Sequence, residues 1–131
     1  MGPCIFCQIA RHEAPACIVY ADELVTGLMA LHPQNPGHML VIPNEHVESM
    51  TARPELSAHV FAIGTRLAQV LPCVVSGGSC TYLMHEGFEA LHVHLHIIPR
   101  HDDDHVELDQ RAPEAAREDL ERIGARVRAM L

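Results

Sequence analysis

The sequence predicts an α+β fold, an antiparallel sheet of about five strands with one long helix plus a C-terminal helix. Three observations lead there. Five short apolar runs are bounded by turn residues, one stretch between two prolines has a helical period, and strands and helices do not alternate regularly. A chain of 131 residues suits a single domain, large enough to bury roughly two-thirds of the surface it exposes when unfolded.

The elements follow in order along the chain. Residues 5–11 can make a short helix ahead of Pro15, and strands are expected at Cys17–Tyr20, Leu24–Ala30 and His38–Ile42. Pro33, Pro36 and Gly37 mark the turn before the third. Leu56, Val60, Ile63, Leu67 and Leu71 recur at spacings of three and four, the stripe of an amphipathic helix that starts at Pro54 and stops at Pro72. Gly77 and Gly78 precede a fourth strand, Cys80–Met84, and Leu91–Ile98 is the fifth. Ala116, Leu120, Ile123, Val127 and Met130 repeat the helical stripe over residues 113–130, with Pro113 in the first turn and Glu118 and Arg122 paired at i, i+4. Gly124 weakens that helix. The His-Asp-Asp-Asp-His run at 101–105 divides the chain into a domain over 1–100 and an acidic loop with a C-terminal helix over 101–131, packed on or extending the same domain.

Composition excludes several kinds of chemistry. All nine basic residues are arginine, so a Walker-type phosphate loop, a Schiff-base cofactor and an amine nucleophile are ruled out. The net charge of −8 leaves no basic stripe for a nucleic acid polymer, and no apolar run approaches the ~20 residues of a membrane span. Cys4, Cys7, Cys17, Cys73 and Cys80 are an odd set, as expected of reduced thiols or metal ligands in a cytoplasmic protein. Eleven histidines are then the leading candidates for chemistry.

The most informative segment is Leu91-His92-Val93-His94-Leu95-His96-Ile97-Ile98. On a strand, alternation sets His92, His94 and His96 on one face at steps of roughly 6.6–6.8 Å, while Val93, Leu95 and Ile97 pack the other. The residues alone admit a polar edge strand, a metal site, or nucleophilic catalysis. In the last case a neutral imidazole, anchored through one nitrogen, attacks phosphorus with the other, and a second imidazole assists.

This segment resembles the signature of the histidine triad (HIT) family, His-φ-His-φ-His-φ-φ with φ apolar. The resemblance extends to Cys4-Ile5-Phe6-Cys7, to Pro33-Gln34-Asn35-Pro36-Gly37-His38-Met39-Leu40-Val41-Ile42-Pro43, to His46 and to Ile98-Pro99-Arg100, and so covers residues 4–100. It implies a HIT-like fold and a nucleotide-binding hydrolase that cleaves nucleoside phosphoramidates at the P–N bond through a covalent nucleotidyl-histidine. By the same resemblance His94 is the nucleophile, His96 contacts phosphate and assists the leaving group, and the carbonyl of His92 orients His94. His38 and His85 would line the phosphate pocket, with Glu89 near it, and Phe6, Ile9, Leu28 and Leu31 would form the base pocket. From the residue pattern alone, His38 can equally cap a strand and the apolar four can be ordinary core.

Cys4 and Cys7 have the spacing for two thiolates on one tetrahedral metal, or for two small buried hydrophobes. The resemblance implies the first, because some bacterial members bind structural zinc through this pair, the histidine after the Ile-Pro strand and the first triad histidine. Here those are Cys4, Cys7, His46 and His92, a Cys2His2 set that would tie the N-terminal segment to the histidine strand. The family also implies a homodimer.

Three features depart from the family pattern: Ala30 stands where an aspartate usually holds the ribose, the segment 85–91 is shortened, and Phe88 lies near a usual glutamine. They keep two alternatives open, a dinucleoside polyphosphate hydrolase and a catalytically weak nucleotide- or phosphate-binding module. A metallohydrolase using the histidine ladder as metal ligands is a third. His12, His32, His59, His101 and His105 have no motif behind them, and His12 and His59 are expected on the surface.

Overall fold

The structure, a computed structural model, describes residues 3–75, 80–84, 91–100 and 112–131. Its elements are α1 (Ile5–Ala10), β1 (Ile18–Ala21), β2 (Val25–Met29), β3 (Met39–Pro43), α2 (Pro54–Val74), β4 (Cys80–Met84), β5 (Leu95–Arg100) and α3 (Arg117–Met130). The strands form one antiparallel sheet in the order β1-β2-β3-β5-β4. The α+β architecture read from the sequence is the one observed.

Period-two alternation divides the sheet into two faces. Val25, Met29, Met39, Val41, Leu95 and Ile97 pack against the stripe of α2, including Val60, Leu67 and Leu71. Leu28, Ala30, Leu40 and Ile42 point the other way and meet Ile9 of α1. Both faces of β2 and β3 are therefore buried, although an antiparallel sheet commonly leaves one face wet. The second, smaller cluster carries the histidines.

The helix ends differ from expectation. The α2 helix runs through Pro72 to Val74 even though Pro72 has no N–H to offer the carbonyl of Ala68, and burial of Leu71 and Val74 on either side of it favours this last turn. Residues 113–116 are not helical. The N–H of Ala115 donates to the carbonyl of Leu31 at 2.8 Å, which holds this stretch extended until α3 begins at Arg117. Buried positions of α3 are Leu120, Gly124 and Val127, whereas Ala116 and Met130 are exposed. Arg122 pairs with Asp119 at i, i+3 rather than with Glu118, at an exposed position where such a pair contributes little.

The hairpin between β1 and β2 is fastened by Asp22. One carboxylate oxygen accepts the N–H groups of Leu24 and Val25, each at 2.8 Å. The other accepts the Tyr20 hydroxyl and His59 Nε2, each at 2.7 Å. His59, expected on the surface without a task, is half-buried and ties the hairpin to α2.

Two predictions follow from this packing. A Cβ built at Gly124 would stand 2.6 Å from the Sγ of buried Cys17. Gly124→Ala should thus lower stability by about 1–3 kcal/mol through overpacking, despite the better helix propensity of alanine. Adding Cys17→Ala should recover most of that loss in denaturant titrations, and a purely additive double mutant would refute the contact.

Burial would raise the Asp22 carboxyl, but the hydrogen bonds from His59, Tyr20, Val25 and Leu24 outweigh it and hold it at about 2. Because the folded value lies below the unfolded one of about 3.9, this group stabilises fully above pH ~4 and the contribution is lost as pH falls toward ~2. Melting temperature should fall more steeply across that window in the wild type than in Asp22→Asn, by an amount reflecting roughly 2 kcal/mol.

Candidate active site and metal centre

The histidine segment is not one regular strand. The ladder between β3 and β5 ends at the pair Val41 and Leu95, and His92 to His94 precede β5. Continuing the register would set Val93 opposite Pro43, which has no N–H to give. The N–H of Val93 turns instead to the carbonyl of Val47 at 2.7 Å, and the Pro43 carbonyl accepts His92 Nε2–H at 2.9 Å. The expected ladder of three imidazoles on one strand face is therefore split.

Phe6 of α1 lies at the split, its ring centroid 5.7 Å from that of His92 and 5.1 Å from that of His94. On one side, His92 joins Cys4, Cys7 and His46. On the other, His94 and His96 meet at 5.1 Å, nearly perpendicular, with His38 5.2 Å beyond His96.

The first group is placed to hold a metal, its four donor atoms lying within 4.8 Å of one another. With Nε2 given to Pro43, the Nδ1 lone pair of His92 faces the cluster. It lies 3.3 Å from Cys4 Sγ, 3.6 Å from Cys7 Sγ and 3.2 Å from His46 Nδ1, and the last is 3.3 Å from Cys7 Sγ. Tetrahedral zinc with its usual bond lengths needs N···N and N···S edges of about 3.3 and 3.6 Å, so the residues fit the ion. Burial and then the neighbouring Cys4 push the Cys7 thiol up, a conflict that a cation between the sulfurs relieves. Burial pushes His92 down, which keeps its ring neutral as a ligand must be. Four protein donors make a closed, structural site. Among the described residues it is the only such group, so the metal reading of the ladder keeps His92 alone.

In the second group the nucleophile candidate is oriented by its own chain. His94, 4% exposed, donates Nδ1–H to the carbonyl of His92 at 2.7 Å, which leaves the lone pair on Nε2. His38 is buried at the base of β3, entered through Gly37 at φ +96°, where a Cβ would also crowd Val75, Leu71 and Pro99. It contacts His96 directly, so it belongs to the histidine group rather than merely capping a strand.

Of the expected base-pocket residues, Ile9 and Leu28 lie together in the smaller cluster, with Phe6 packed against it. Leu31 does not join them. It packs on the opposite core, where its carbonyl is bound by Ala115. His85, Phe88 and Glu89 lie outside the described residues, as do His101 and His105. Two backbone contributors, the Pro43 carbonyl as acceptor and the Gln34 N–H as donor, are not legible in the sequence, because main-chain polar groups leave no signature in residue type. The prolines at 33, 36 and 43 are their only trace.

This fold, with its histidine group, defines a histidine triad domain. The HIT domain family model matches residues 11–103, and the chain belongs to that family. Cys4 and Cys7 lie ahead of the matched stretch. A HIT-like protein of Methanocaldococcus jannaschii is 37% identical over 105 residues, 77% of this chain and 81% of the relative. The purine nucleoside phosphoramidase of Escherichia coli is 32% identical over 100 residues, 72% of this chain and 84% of the enzyme. A zinc-bound histidine triad family protein from Mycobacterium smegmatis superimposes with a TM-score of 0.80 at 29% identity, covering 96% of this chain and 91% of that one.

Purified without chelator, the protein should carry one zinc per chain by elemental analysis. Cys7→Ser or His46→Ala should lose most of it and lower the melting temperature, since a structural metal contributes folding free energy. Full stability in a metal-free Cys7→Ser protein would remove the structural role.

Proposed function

We propose that the chain is a hydrolase that cleaves nucleoside phosphoramidates at the P–N bond through a nucleotidyl-His94 intermediate. The observation that carries this reading is the 2.7 Å bond from His94 Nδ1 to the His92 carbonyl, which makes Nε2 the nucleophilic nitrogen. The likeness to a purine nucleoside phosphoramidase supports the substrate class.

In the first step the His94 Nε2 lone pair forms a bond to phosphorus while the P–N bond breaks, and the amine departs with that electron pair and a proton drawn from water. In the second, water attacks phosphorus, loses a proton, and displaces His94 with its lone pair restored, releasing the nucleoside monophosphate. With no lysine in the chain, charge on the phosphoryl oxygens is met by imidazole N–H, backbone N–H or arginine. Zinc takes no part in these steps. Bound at Cys4, Cys7, His46 and His92, it would supply rigidity, holding the residue whose carbonyl aims the nucleophile. The reading includes a homodimer, as the family resemblance implies, and a cytoplasmic location, which the composition and the odd set of cysteines suit.

Ala30 favours a second reading. It is 5% exposed and offers no carboxylate to a ribose, as expected of a module that binds nucleotide or phosphate without turnover.

His94→Ala should lower hydrolysis of adenosine phosphoramidate by on the order of 10³-fold or more, with zinc content and melting temperature retained. Rapid-quench mass spectrometry should find an adenylyl adduct on wild-type His94. An unchanged rate in His94→Ala overturns the mechanism, and nucleotide binding without amine release selects the binding module.

A further inference from the structure

The metal group is open on its sulfur side. His92 is fully buried, but Cys4 and Cys7 are only half-buried and His46 is exposed, so solvent reaches the thiols from outside the fold. Both sulfurs approach one atom, His92 Nδ1, at 3.3 and 3.6 Å, and they lie within 4.8 Å of each other. Cys4 caps α1 and Cys7 sits in its first turn, which the N–H of Gln8 closes on the Cys4 carbonyl at 3.1 Å. Cα atoms three positions apart on such a turn are about 5 Å apart, inside the roughly 4.4–6.8 Å that a disulfide spans. Rotation of the two side chains is then enough to bring the sulfurs together. The other described cysteines are placed differently. Cys17 is 2% exposed with its thiol on the Leu120 carbonyl, and Cys73, exposed on α2, lies outside the metal group.

We infer that Cys4 and Cys7 form an oxidation site, which reacts with a peroxide and whose disulfide product excludes the metal. One thiolate attacks a peroxide oxygen, so that an S–O bond forms as the O–O bond breaks and hydroxide leaves. The second thiolate attacks that sulfur, forming the S–S bond and expelling a second hydroxide. The two sulfurs have together given two electrons, and two solvent protons turn the hydroxides into water. A disulfide sulfur carries no thiolate charge, and two imidazoles alone are too few donors for a closed tetrahedral site. Disulfide and zinc are therefore alternative states of the same pair. Phe6 lies between the two cysteines in sequence, and its ring meets those of His92 and His94. Closing the bond thus acts on both histidine sets: it reshapes the turn that carries Phe6 and frees His92 Nδ1, leaving that ring bonded to the Pro43 carbonyl. A half-buried disulfide is open to small thiols, which return the pair to its metal-binding form by exchange. The inference rests on the metal centre and not on the hydrolase reading, so its test needs no substrate.

The zinc-loaded, full-length protein is treated with excess hydrogen peroxide, and freed zinc is read with a chromogenic chelator. One zinc per chain should be released, and peptide mass spectra should show Cys4 joined to Cys7 with the loss of two hydrogens. In two-bond ¹H–¹⁵N spectra, His92 Nδ1 should pass from the metal-bound to the free position. Dithiothreitol with added zinc should reverse all three changes. Cys73→Ser, which removes the exposed thiol outside the group, should release zinc at the wild-type rate. Zinc retained under peroxide overturns the inference. So does zinc lost with sulfinic or sulfonic acid in place of the Cys4–Cys7 disulfide, or release that depends on Cys73.

Discussion

His92 is bound at three points, and both halves of the site depend on how it is held. Its Nε2–H goes to the Pro43 carbonyl, its Nδ1 faces the two sulfurs and His46, and its own carbonyl receives His94. Rotating the ring would break the metal group, and moving the backbone would swing His94. The arrangement originates in Pro43, which ends the ladder with β5 and leaves a carbonyl for the imidazole. The metal group and the orientation of His94 are thus two results of one local backbone conformation.

Burying imidazoles is costly unless their nitrogens are bonded, about 1–3 kcal/mol for each group left without a partner. His38, His92 and His94 are all nearly inaccessible, and each has a backbone partner: the Gln34 N–H, the Pro43 carbonyl and the His92 carbonyl. Such partners do more than offset desolvation. Because the main chain cannot rotate as a side chain does, each ring inherits its orientation and its tautomer from a turn or a strand end. The apolar face shared by Leu28, Leu40 and Ile42 supplies a wall for the group, and α1 delivers Phe6 to separate the two histidine sets.

Much of this was legible in the sequence. Turn-bounded apolar runs and the 3.6-residue stripe located the described strands and the two long helices, the Cys4–Cys7 spacing offered a metal-binding pair, and the family resemblance completed it with His46 and His92. What escaped notice depended on pairings between distant backbone segments. Pro43 opposite Val93 interrupts the histidine strand, yet neither residue is unusual in its own neighbourhood. The Ala115 to Leu31 bond delays α3 and carries Leu31 to the opposite core from its apolar neighbours. His59 gained its task only when α2 crossed the β1–β2 hairpin near Asp22. The N–H of Gln34 that meets His38 was invisible for the same reason, since it comes from the turn ahead of β3.

The spacing of the metal group has a consequence in polymer terms. Cys4 and His92 stand 88 positions apart, so an ion shared by them closes most of the chain into a ring. In the chain-entropy picture a covalent link over ~90 residues removes on the order of 4–5 kcal/mol of disorder from the unfolded ensemble. A disulfide of that span would be reduced in a thiol-rich compartment, whereas a thiolate–imidazole–zinc junction persists there. The N-terminal ten residues, outside the stretch matched to the family, can therefore act as the clasp of a reversible cross-link.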